Sequence, residues 1–454
     1  MFMTILGIDI GSTKVCAIIA QKSDSIDTKI LGVGIAKSQG LKKGIITNID
    51  LASKSIKSAI IEAKRAAGMQ FERVIVSVSG SYVKSMDSSG IVNIPNREIG
   101  IKEITRAMQV ADYNAAIPQE HEKLHVLPYN FIVDGQEFIE DPLGMNGSRL
   151  EVQVHIITAQ RSSLTNLKKA VKLAGIEIDN LVLNSYASSI AVLGYDEKEL
   201  GVAVIDLGGA TCNTAIHIGN SIRCNDFLSI GSINITNDLS MALHTPPMSA
   251  EETKIKYGSL KKAPNELIKL PVIGDEHSMH EVSLEMVSKV IYARTEETLM
   301  ILANSLDRCG YKEKIGAGIV LTGGMTKLEG LRDLANAIFN MPVRIARPKE
   351  MEGLFEILRD PGFSTAVGLV LYGGGQFTPY EIDSNKKLRY KNEIVEEGKN
   401  INILLLADEE ENEALSGDDI RLEKNKNNLN DINKKPNQVA VFLKNLWRRL
   451  TQLF

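Results

Sequence analysis

A strand–turn–strand unit, with an aspartate at the end of its first strand, occurs twice in this sequence and limits the folds open to the chain. The first copy covers residues 7–14 (GIDIGSTK) and the second covers residues 204–211 (VIDLGGAT). From residue 4 to about 375, short β-branched apolar runs alternate with amphipathic helical stretches, which predicts an α/β fold. Two such units, some 200 residues apart, predict two lobes of related fold that face each other.

Both turns have the composition of a polyphosphate-binding loop. Glycine lets the backbone approach a phosphate closely, and successive N–H groups form a nest for an anion. Asp9 and Asp206 are predicted to face one Mg²⁺ between the lobes, through water, because Mg²⁺ dehydrates reluctantly. Either turn alone is also typical of an ordinary hairpin. The predicted phosphate contacts in the two turns are Gly11, Ser12, Thr13, Lys14, Gly208, Gly209, Ala210 and Thr211.

Further candidate contacts lie downstream of the second turn. Gly231 and Ser232 form a turn before a helix, suited to the γ-phosphate side. Glu251 and Lys254 lie three residues apart on one predicted helix face, a spacing also typical of an ordinary ion pair. Residues 319–325 (IVLTGGM) read as a strand ending in a double glycine, followed by a helix at 328–339. A flat adenine ring fits such a bare turn, so the predicted adenosine contacts are Glu251, Lys254, Gly323, Gly324 and Met325.

Composition excludes several classes of protein. The net charge of −4 gives no reason to expect general nucleic-acid binding. The four cysteines are scattered and fit neither a zinc site nor a disulfide framework, so a reducing cytoplasm is expected. The first residues lead directly into a predicted strand, so no signal peptide is expected. No apolar run approaches the roughly 20 residues that a spanning helix needs, so any membrane contact is expected to be peripheral.

The C-terminal part of the sequence differs from the rest. Residues 379–436 are rich in Asn, Lys, Asp and Glu and are predicted to be a flexible linker. Residues 437–454 contain no carboxylate and are predicted to form an amphipathic helix, with its apolar side chains in an arc of about 140°. This composition is typical of a helix that lies on anionic lipids, although a helix docked on the core is the alternative. The predicted membrane contacts are Phe442, Leu443, Lys444, Leu446, Trp447, Arg448, Arg449, Leu450, Leu453 and Phe454.

The order of the three glycine turns resembles the ATPase superfamily of actin, sugar kinases and heat-shock chaperones. In that superfamily a Glu and a Lys at the spacing of Glu251 and Lys254 hold the ribose and adenine. Within it, the sequence resembles the FtsA family of bacterial cell-division proteins, from residue 4 to about 375 and again at the C-terminal helix. The more specific motifs are residues 7–14, 206–211, 231–239, 244–247 (HTPP), 250–258, 317–324 and 363–369.

This resemblance implies an actin-like two-lobed ATPase fold with duplicated RNase H-like subdomains and a 1C-type insertion in place of actin's subdomain 1B. Subdomain 1A is expected at residues 1–81 and 359–378, with a helix and connection completing lobe 1 at 161–195. Subdomain 1C is expected at 82–160, subdomain 2A at 196–246 and 313–358, and subdomain 2B at 247–312. The linker at 379–436 and the amphipathic helix at 437–454 complete the expected domain organisation.

The resemblance also implies a function. The protein is expected to bind ATP and Mg²⁺, to assemble into filaments, and to anchor the FtsZ ring to the cytoplasmic face of the cell membrane at the septum. Later division proteins are further expected partners. The C-terminal peptide of FtsZ is expected to dock on subdomain 2B, with Arg294 and Glu297 as contacts, although a solvated helix face explains these two residues nearly as well.

One position departs from the hydrolytic relatives. Asn184 stands where chaperone relatives carry a water-orienting carboxylate, so one general-base candidate is missing and slow or negligible ATP turnover is expected. A small-molecule kinase of the same superfamily is an alternative, but no segment marks an acceptor site. A chaperone-type ATPase would need a substrate-binding domain. An actin-like membrane adaptor of a pilus machine is the third alternative, since polymerisation depends on surfaces that the sequence does not display.

Overall fold

Three large sheets, each covered by helices, form the part of the chain that the computed structural model describes, which is residues 2–23, 26–262 and 264–390. The linker predicted beyond residue 390 and the helix predicted at 437–454 lie outside the described residues. Within the described ranges, no helix is both long enough and apolar enough to cross a membrane.

The chain begins with an antiparallel meander and a helix that covers it. Asn48 caps this helix by accepting a hydrogen bond from the backbone of Leu51, and the left-handed Gly68 ends it. The elements are β1 (Phe2–Ile10), β2 (Lys14–Ser23), β3 (Ile26–Lys37), β4 (Leu41–Lys42), β5 (Ile45–Ile46), α1 (Ile49–Ala67) and β6 (Arg73–Val78).

An inserted domain follows β6, where the resemblance places subdomain 1C. Its elements are β7 (Val83–Asn93), α2 (Ile101–Asn114), β8 (His121–Val133), β9 (Gln136–Ile139) and β10 (Arg149–Gln160). The central strand β10 pairs antiparallel with β7 and β8, and α2 packs on this sheet. Ile104, Met108 and Val152 belong to an apolar core that is separate from those of the two lobes.

Lobe 1 resumes after the insertion. It adds α3 (Arg161–Leu173), β11 (Asn180–Leu183), α4 (Asn184–Val192) and α5 (Tyr195–Leu200). The order of strands in its sheet is β11-β6-β1-β2-β3, with β6 and β11 parallel to β1.

Lobe 2 repeats the sheet of lobe 1. Its elements are β12 (Val202–Leu207), β13 (Cys212–Ile218), β14 (Ser221–Leu228), α6 (Ser232–Ala242), α7 (Pro247–Tyr257), β15 (Leu267–Val272), β16 (Asp275–Ser283), α8 (Leu284–Cys309), β17 (Ile319–Thr322), α9 (Leu331–Phe339) and β18 (Val343–Ile345). Read in the same direction as lobe 1, the strand order is β18-β17-β12-β13-β14, which matches β11-β6-β1-β2-β3 position by position, with β17 parallel to β12 and β18 parallel to β17. The predicted duplication is therefore confirmed.

The chain then returns to lobe 1 through α10 (Ser364–Gly373), all of whose residues are buried. Two further strands, β19 (Tyr380–Ile382) and β20 (Leu388–Tyr390), extend the sheet of the insertion through pairing of β19 with β8. The prediction of a flexible linker from residue 379 is therefore wrong for its first twelve residues. These residues form strands because the buried carboxylate of Glu381 accepts hydrogen bonds from His125 Nδ1 (2.6 Å) and Tyr372 Oη (2.8 Å).

Two other expectations need correction. Cys224 on β14 and Cys309 at the end of α8 form a disulfide, whereas their separation of 85 residues gives no disulfide pattern in the sequence. The fold brings them together, while Cys16 and Cys212 are free and buried. The helix predicted at 328–339 begins at Leu331, because a short 3₁₀ turn, Gly324–Lys327, precedes it.

Candidate functional site

The two Asp-centred turns have the same backbone geometry. Gly11 N donates to Lys14 O (3.0 Å), and Gly208 N donates to Thr211 O (2.9 Å). A Cβ added at either glycine would lie 2.8 Å from the carbonyl oxygen that closes its turn. Both positions therefore require glycine, and both leave bare backbone at the end of a strand.

The turns of the two lobes meet. A Cβ added to Gly209 would lie 2.2 Å from Thr13 Cγ2, and one added to Gly231 would lie 2.6 Å from Gly209 O. The backbone N–H of Ser232 donates to Gly208 O (3.1 Å), which fixes the start of α6 against the second turn. The fold thus gathers three of the turns predicted from sequence at one place between the lobes.

Asp9 and Asp206 end the first strand of each lobe and are only 7% and 9% exposed. Ser77 Oγ donates to Asp9 Oδ1 (3.0 Å), and Thr365 Oγ1 donates to Asp206 Oδ2 (3.0 Å). Burial raises the pKa of Asp9, against the opposing charge of Lys14. Burial, with a smaller contribution from the charge of Asp9, raises the pKa of Asp206 to about 6. Two dehydrated carboxylates that influence each other favour a bound cation.

The donor set suits Mg²⁺ bound through water. Asp9 and Asp206 offer carboxylate oxygens, which are ligands that Mg²⁺ accepts. The described part of the chain has no cluster of three or more His, Cys, Asp or Glu side chains that could hold a metal directly. Asp9 and Asp206 would hold the ion through water, and the ion would neutralise charge on the phosphates.

Lys14 lies beside the third glycine turn. Its Nζ is 3.6 Å from the centroid of the Phe363 ring, and no carboxylate in the described ranges forms an ion pair with it. A Cβ added to Gly362 would lie 3.0 Å from Lys14 Nζ and 3.4 Å from Gly324 Cα. A cation held by an aromatic face in this way remains available to a phosphate.

The Glu251–Lys254 pair is anchored to α6 rather than standing free on a helix surface. Lys254 Nζ donates to Glu251 Oε2 (2.7 Å), to Thr236 Oγ1 (2.8 Å) and to Ser232 O (3.1 Å). The Glu251 side chain is still partly exposed. The pair therefore lies at the start of the helix that packs on the second turn, a place from which Glu251 could accept a hydrogen bond from a hydroxyl.

The third turn presents two glycines with different surroundings. Gly323 has φ +92°, and a Cβ there would lie 2.4 Å from Asp206 Oδ1. A Cβ on Gly324 would meet nothing within 4 Å, so space for a ligand lies in front of it. Met325 was predicted to contact adenosine, but its side chain is 5% exposed and packs in the core of lobe 2. An apolar side chain next to a bare turn gains more from burial than from solvent, so the predicted contact stays a prediction for the backbone of Met325.

Comparisons with known proteins agree with this geometry. Residues 80–158 match a family model described as "SHS2 domain inserted in FTSA", and residues 203–368 match one described as "Cell division protein FtsA". The cell division protein FtsA of Helicobacter pylori (strain J99) is 41% identical over an alignment of 420 residues that covers 85% of each chain. The chain belongs to the FtsA family. The FtsA proteins of Pseudomonas aeruginosa and Escherichia coli (strain K12) are 40% and 32% identical, over 81% and 85% of this chain and 89% and 93% of theirs.

Solved structures place the FtsA-family chain in the actin-like fold. A structure titled "PilM-PilN type IV pilus biogenesis complex" superposes with a TM-score of 0.59 at 19% identity, covering 82% of this chain and 98% of that one. MreB5 of Spiroplasma citri, bound to ADP, superposes with a TM-score of 0.50 at 13% identity, covering 82% and 96%. The fold class predicted from the sequence is confirmed, and the chain is an actin-like cell-division protein.

The site also contains residues that sequence reasoning did not assign. Ser77 and Thr365 orient the two carboxylates, and Phe363 supports Lys14. Thr365 lies in the segment at 363–369 that resembles FtsA, but its contact with Asp206 spans 159 residues and has no local signal. Asn184 starts α4 with its Oδ1 buried and without a hydrogen-bond partner among the described residues, consistent with a group that contacts water or ligand.

The two residues predicted to contact FtsZ lie on α8. Arg294 Nη2 donates to Asp238 Oδ1 (3.0 Å), and the same guanidinium pairs with Glu297. Glu297 is 3% exposed, so its carboxylate fixes Arg294 rather than facing solvent. Arg294 retains partial exposure. The basic, partly exposed member of the pair is therefore the one that a partner could reach.

Proposed function

We propose that this FtsA-family chain binds Mg·ATP between its lobes, assembles into actin-like filaments and anchors the FtsZ ring to the cytoplasmic membrane at the division septum. The observation that carries the nucleotide half of the proposal is the pair of buried carboxylates, one from each lobe, beside facing glycine turns. Each half of the site comes from a different lobe, so a bound nucleotide would contribute to the contact between them.

The residues divide the work of binding by their chemistry. Backbone N–H groups of the two turns, other than those of Gly11 and Gly208, which close the turns, would receive the phosphates, and Lys14 would add a positive charge. Gly324 leaves room for the adenosine, with Glu251 positioned for a ribose hydroxyl. Mg²⁺ would supply charge neutralisation at the phosphates. Asn184 offers an amide where hydrolysis would need a base, which supports binding with weak or no turnover.

The proposed FtsZ site is supported by exposed apolar side chains in the region of residues 247–312. Met248, Ile255 and Leu267 are all largely exposed, on α7 and β15. Apolar side chains left in solvent in the same region as a partly exposed Arg294 suit an extended peptide that carries both apolar and acidic residues. The insertion at 82–160 is the proposed surface for later division proteins.

The membrane half of the proposal depends on the sequence of residues 437–454. Trp447 and the leucines of its apolar arc would enter the interface, and Lys444, Arg448 and Arg449 would meet anionic headgroups. One such helix binds weakly, so a filament that presents many copies would give stable attachment. Polymer and anchor therefore depend on each other.

Vesicle co-sedimentation tests this proposal. We expect the full chain to bind anionic vesicles and the chain ending at residue 436 to remain in solution, while both bind ATP equally. Trp447→Glu with Leu450→Glu should abolish recruitment. Thr451→Glu with Gln452→Glu, which changes the charge equally on the polar side of the helix, should reduce it far less. Vesicle binding that is independent of the tail would remove the anchor from the proposal.

A further inference from the structure

The two helices α1 and α3 form an exposed layer of positive charge on lobe 1. They pack against each other, and their only carboxylates are Asp50 and Glu62 on α1. Glu62 is engaged by the backbone N–H of Ile35 (2.9 Å). A chain with a net charge of −4 thus concentrates cations on one surface, which we call the basic face. Its cations are Lys54, Lys57, Lys64, Arg65, Arg161, Lys168, Lys169 and Lys172.

Most of these cations are not neutralised by neighbours. Lys54, Lys57, Arg65 and Lys169 are exposed, and no described carboxylate forms an ion pair with them. Lys168 pairs with Glu122 (2.7 Å) and Lys172 pairs with Glu177 (3.5 Å), but both lysine side chains stay exposed. Unpaired cations on two adjacent helices create a local positive potential. Salt screens this potential only beyond about 8–10 Å, so an anionic surface in contact with the helices would still experience it.

The basic face points away from the nucleotide site. Gly34 of β3 packs on α1, where an added Cβ would lie 2.0 Å from Ala59 O, whereas Gly7 of β1 packs on α10. Across the sheet, Gly34 aligns with Ile8, the residue after Gly7. Because neighbouring residues of a strand face opposite sides of the sheet, Gly34 and Gly7 lie on opposite sides. α10 and α4 therefore cover one side of the sheet, with α4 contacting lobe 2, and α1 and α3 cover the other.

The last two described strands contact lobe 1 at its edge strand β11. The turn between β19 and β20 is held by Asn180 Nδ2, which donates to Asp383 Oδ2 (2.9 Å), and by Leu181 N, which donates to Ser384 Oγ (3.0 Å). These contacts lie just after the loop that follows α3. The hairpin is therefore held against lobe 1 at its turn. Beside its end, Arg389 Nη2 donates to Tyr372 O of α10 (3.2 Å), so the described chain ends against lobe 1.

We propose that the basic face is a second membrane-contact surface, which binds anionic lipid headgroups when the tail has anchored the chain. This inference rests on the proposed membrane anchoring by residues 437–454. Exposed Ile61 and Leu173 add apolar side chains to the same two helices, a mixture that suits the bilayer interface better than a purely polar partner. Contact through this face would turn the nucleotide cleft and lobe 2 away from the lipid.

A pair of charge-matched variants of the full chain tests the proposal. Lys54→Glu, Lys57→Glu and Lys169→Glu reverse three unpaired cations of the basic face. Lys102→Glu, Lys262→Glu and Lys269→Glu reverse three exposed lysines elsewhere and change the net charge equally. Binding is titrated at several salt concentrations against vesicles of phosphatidylglycerol and phosphatidylcholine, and against phosphatidylcholine alone.

We expect the basic-face variant to bind the anionic vesicles at least about tenfold more weakly than the control variant, because each cation near an anionic surface contributes on the order of a fivefold gain in affinity. The difference should shrink as salt rises. Trp447 is the only tryptophan of the chain, so a blue shift of its emission at saturating lipid reports tail insertion separately.

The outcomes separate the two proposals. Equal affinities of the two variants, with the Trp447 shift retained, overturn the basic face as a lipid surface and leave the tail anchor standing; the face would then suit a soluble acidic partner. An equal loss on phosphatidylcholine alone also overturns it, because headgroup charge would not be the ligand. Absence of the Trp447 shift in the unmodified chain overturns the membrane anchor itself.

Discussion

Asp206 lies in a position that is useful for a ligand and unfavourable for the free protein. Burial raises its pKa from 3.8 to about 6, while Thr365 Oγ1 opposes that rise by donating to it. A carboxyl whose folded pKa lies above its unfolded pKa contributes stability below the unfolded value, and this stability is lost as pH rises through the folded value. For Asp206, the free energy of unfolding therefore falls between pH 3.8 and about 6, and the total decrease is about 3 kcal/mol.

Removing this charge should stabilise the nucleotide-free chain. We expect Asp206→Asn to raise the free energy of unfolding by about 1–3 kcal/mol at pH 7.5 and by almost nothing at pH 4, where the native carboxyl is protonated. The same variant should lose the Mg²⁺-dependent part of its stabilisation by ATP. Urea unfolding at both pH values measures the effect. Asp333→Asn, an exposed carboxylate on α9, serves as the control, and a gain that is equal at both pH values would contradict the explanation.

The same pKa makes nucleotide binding depend on pH. Because protons compete with Mg²⁺ for Asp206, the affinity for Mg·ATP should fall as pH drops from 7.5 to 5.5, once the titration of ATP itself is subtracted. Isothermal titration at each pH measures it. In Asp206→Asn the residual pH dependence should match that of free ATP, and a persistent excess would assign the effect to another group.

Gly324 offers a cleaner test of the adenosine pocket than the phosphate turns do. A Cβ there meets no protein atom within 4 Å and its φ is not left-handed, so Gly324→Ala should change the free energy of unfolding by less than about 0.5 kcal/mol. It should weaken nucleotide binding about tenfold or more if the base lies on this turn. Gly209→Ala is the contrasting variant, because its Cβ would press on Thr13 and disturb the protein itself. Unchanged affinity in Gly324→Ala would move the adenosine elsewhere.

For individual residues, the sequence predicts a role when the reason for that residue lies in its immediate neighbours along the chain. Gly11 and Gly208 are found because each closes a four-residue turn that only glycine fits. Ser77 and Thr365 are not found, since a hydroxyl acquires its role only when the fold brings it to Asp9 or Asp206. The burial of the Met325 side chain was not predictable either, because sequence does not show which way an apolar side chain turns.

At the scale of elements, α10 connects the site with the edge of the insertion. Its first turn contacts the site through Thr365, and near its other end Tyr372 donates to Glu381 on β19. Glu381 also accepts from His125 of the insertion, whose Nε2 in turn accepts from Leu183 N (3.1 Å). One buried carboxylate thus joins three segments that are distant in sequence.

Loss of this carboxylate should destabilise the whole described body. We expect Glu381→Ala to lower the free energy of unfolding by about 3–5 kcal/mol, because it leaves His125 and Tyr372 buried without their acceptor. Urea unfolding measures the change. A chain ending at Tyr390 is the control and should unfold like the full chain. A loss of similar size on truncation at Tyr390 would show that residues beyond β20 stabilise the body as well.

Composition explains why β19 and β20 escaped prediction. Residues 379–390 share the Asp, Asn and Lys content of the segment that follows them, and their strands are only three residues long. Their stability comes from pairing with β8 and from Glu381, neither of which has a local pattern. The duplicated sheets, in contrast, were predictable because each lobe repeats a long strand–turn–strand unit.

At the scale of the whole molecule, the two lobes share one site. Asp9 belongs to lobe 1, Asp206 to lobe 2, and α10 of lobe 1 reaches across to Asp206 through Thr365. A nucleotide bound between the two lobes would favour whichever relative orientation of the lobes it binds more tightly. Filament contacts, which involve both lobes of neighbouring copies in an actin-like polymer, would then respond to the nucleotide.

Membrane binding of the full chain should therefore be cooperative and should depend on ATP. With Mg·ATP, we expect vesicle binding to rise steeply with protein concentration, with an apparent affinity about 10²-fold or more above that without nucleotide, because each filament presents many tails. Co-sedimentation over a range of protein concentrations, with ATP, ADP or neither, measures the curve. The chain ending at residue 436 should still assemble with ATP, as light scattering would show, yet should not sediment with lipid. A hyperbolic curve with one midpoint under all three conditions would mean that single copies bind independently, and attachment would then need a stronger anchor than one helix.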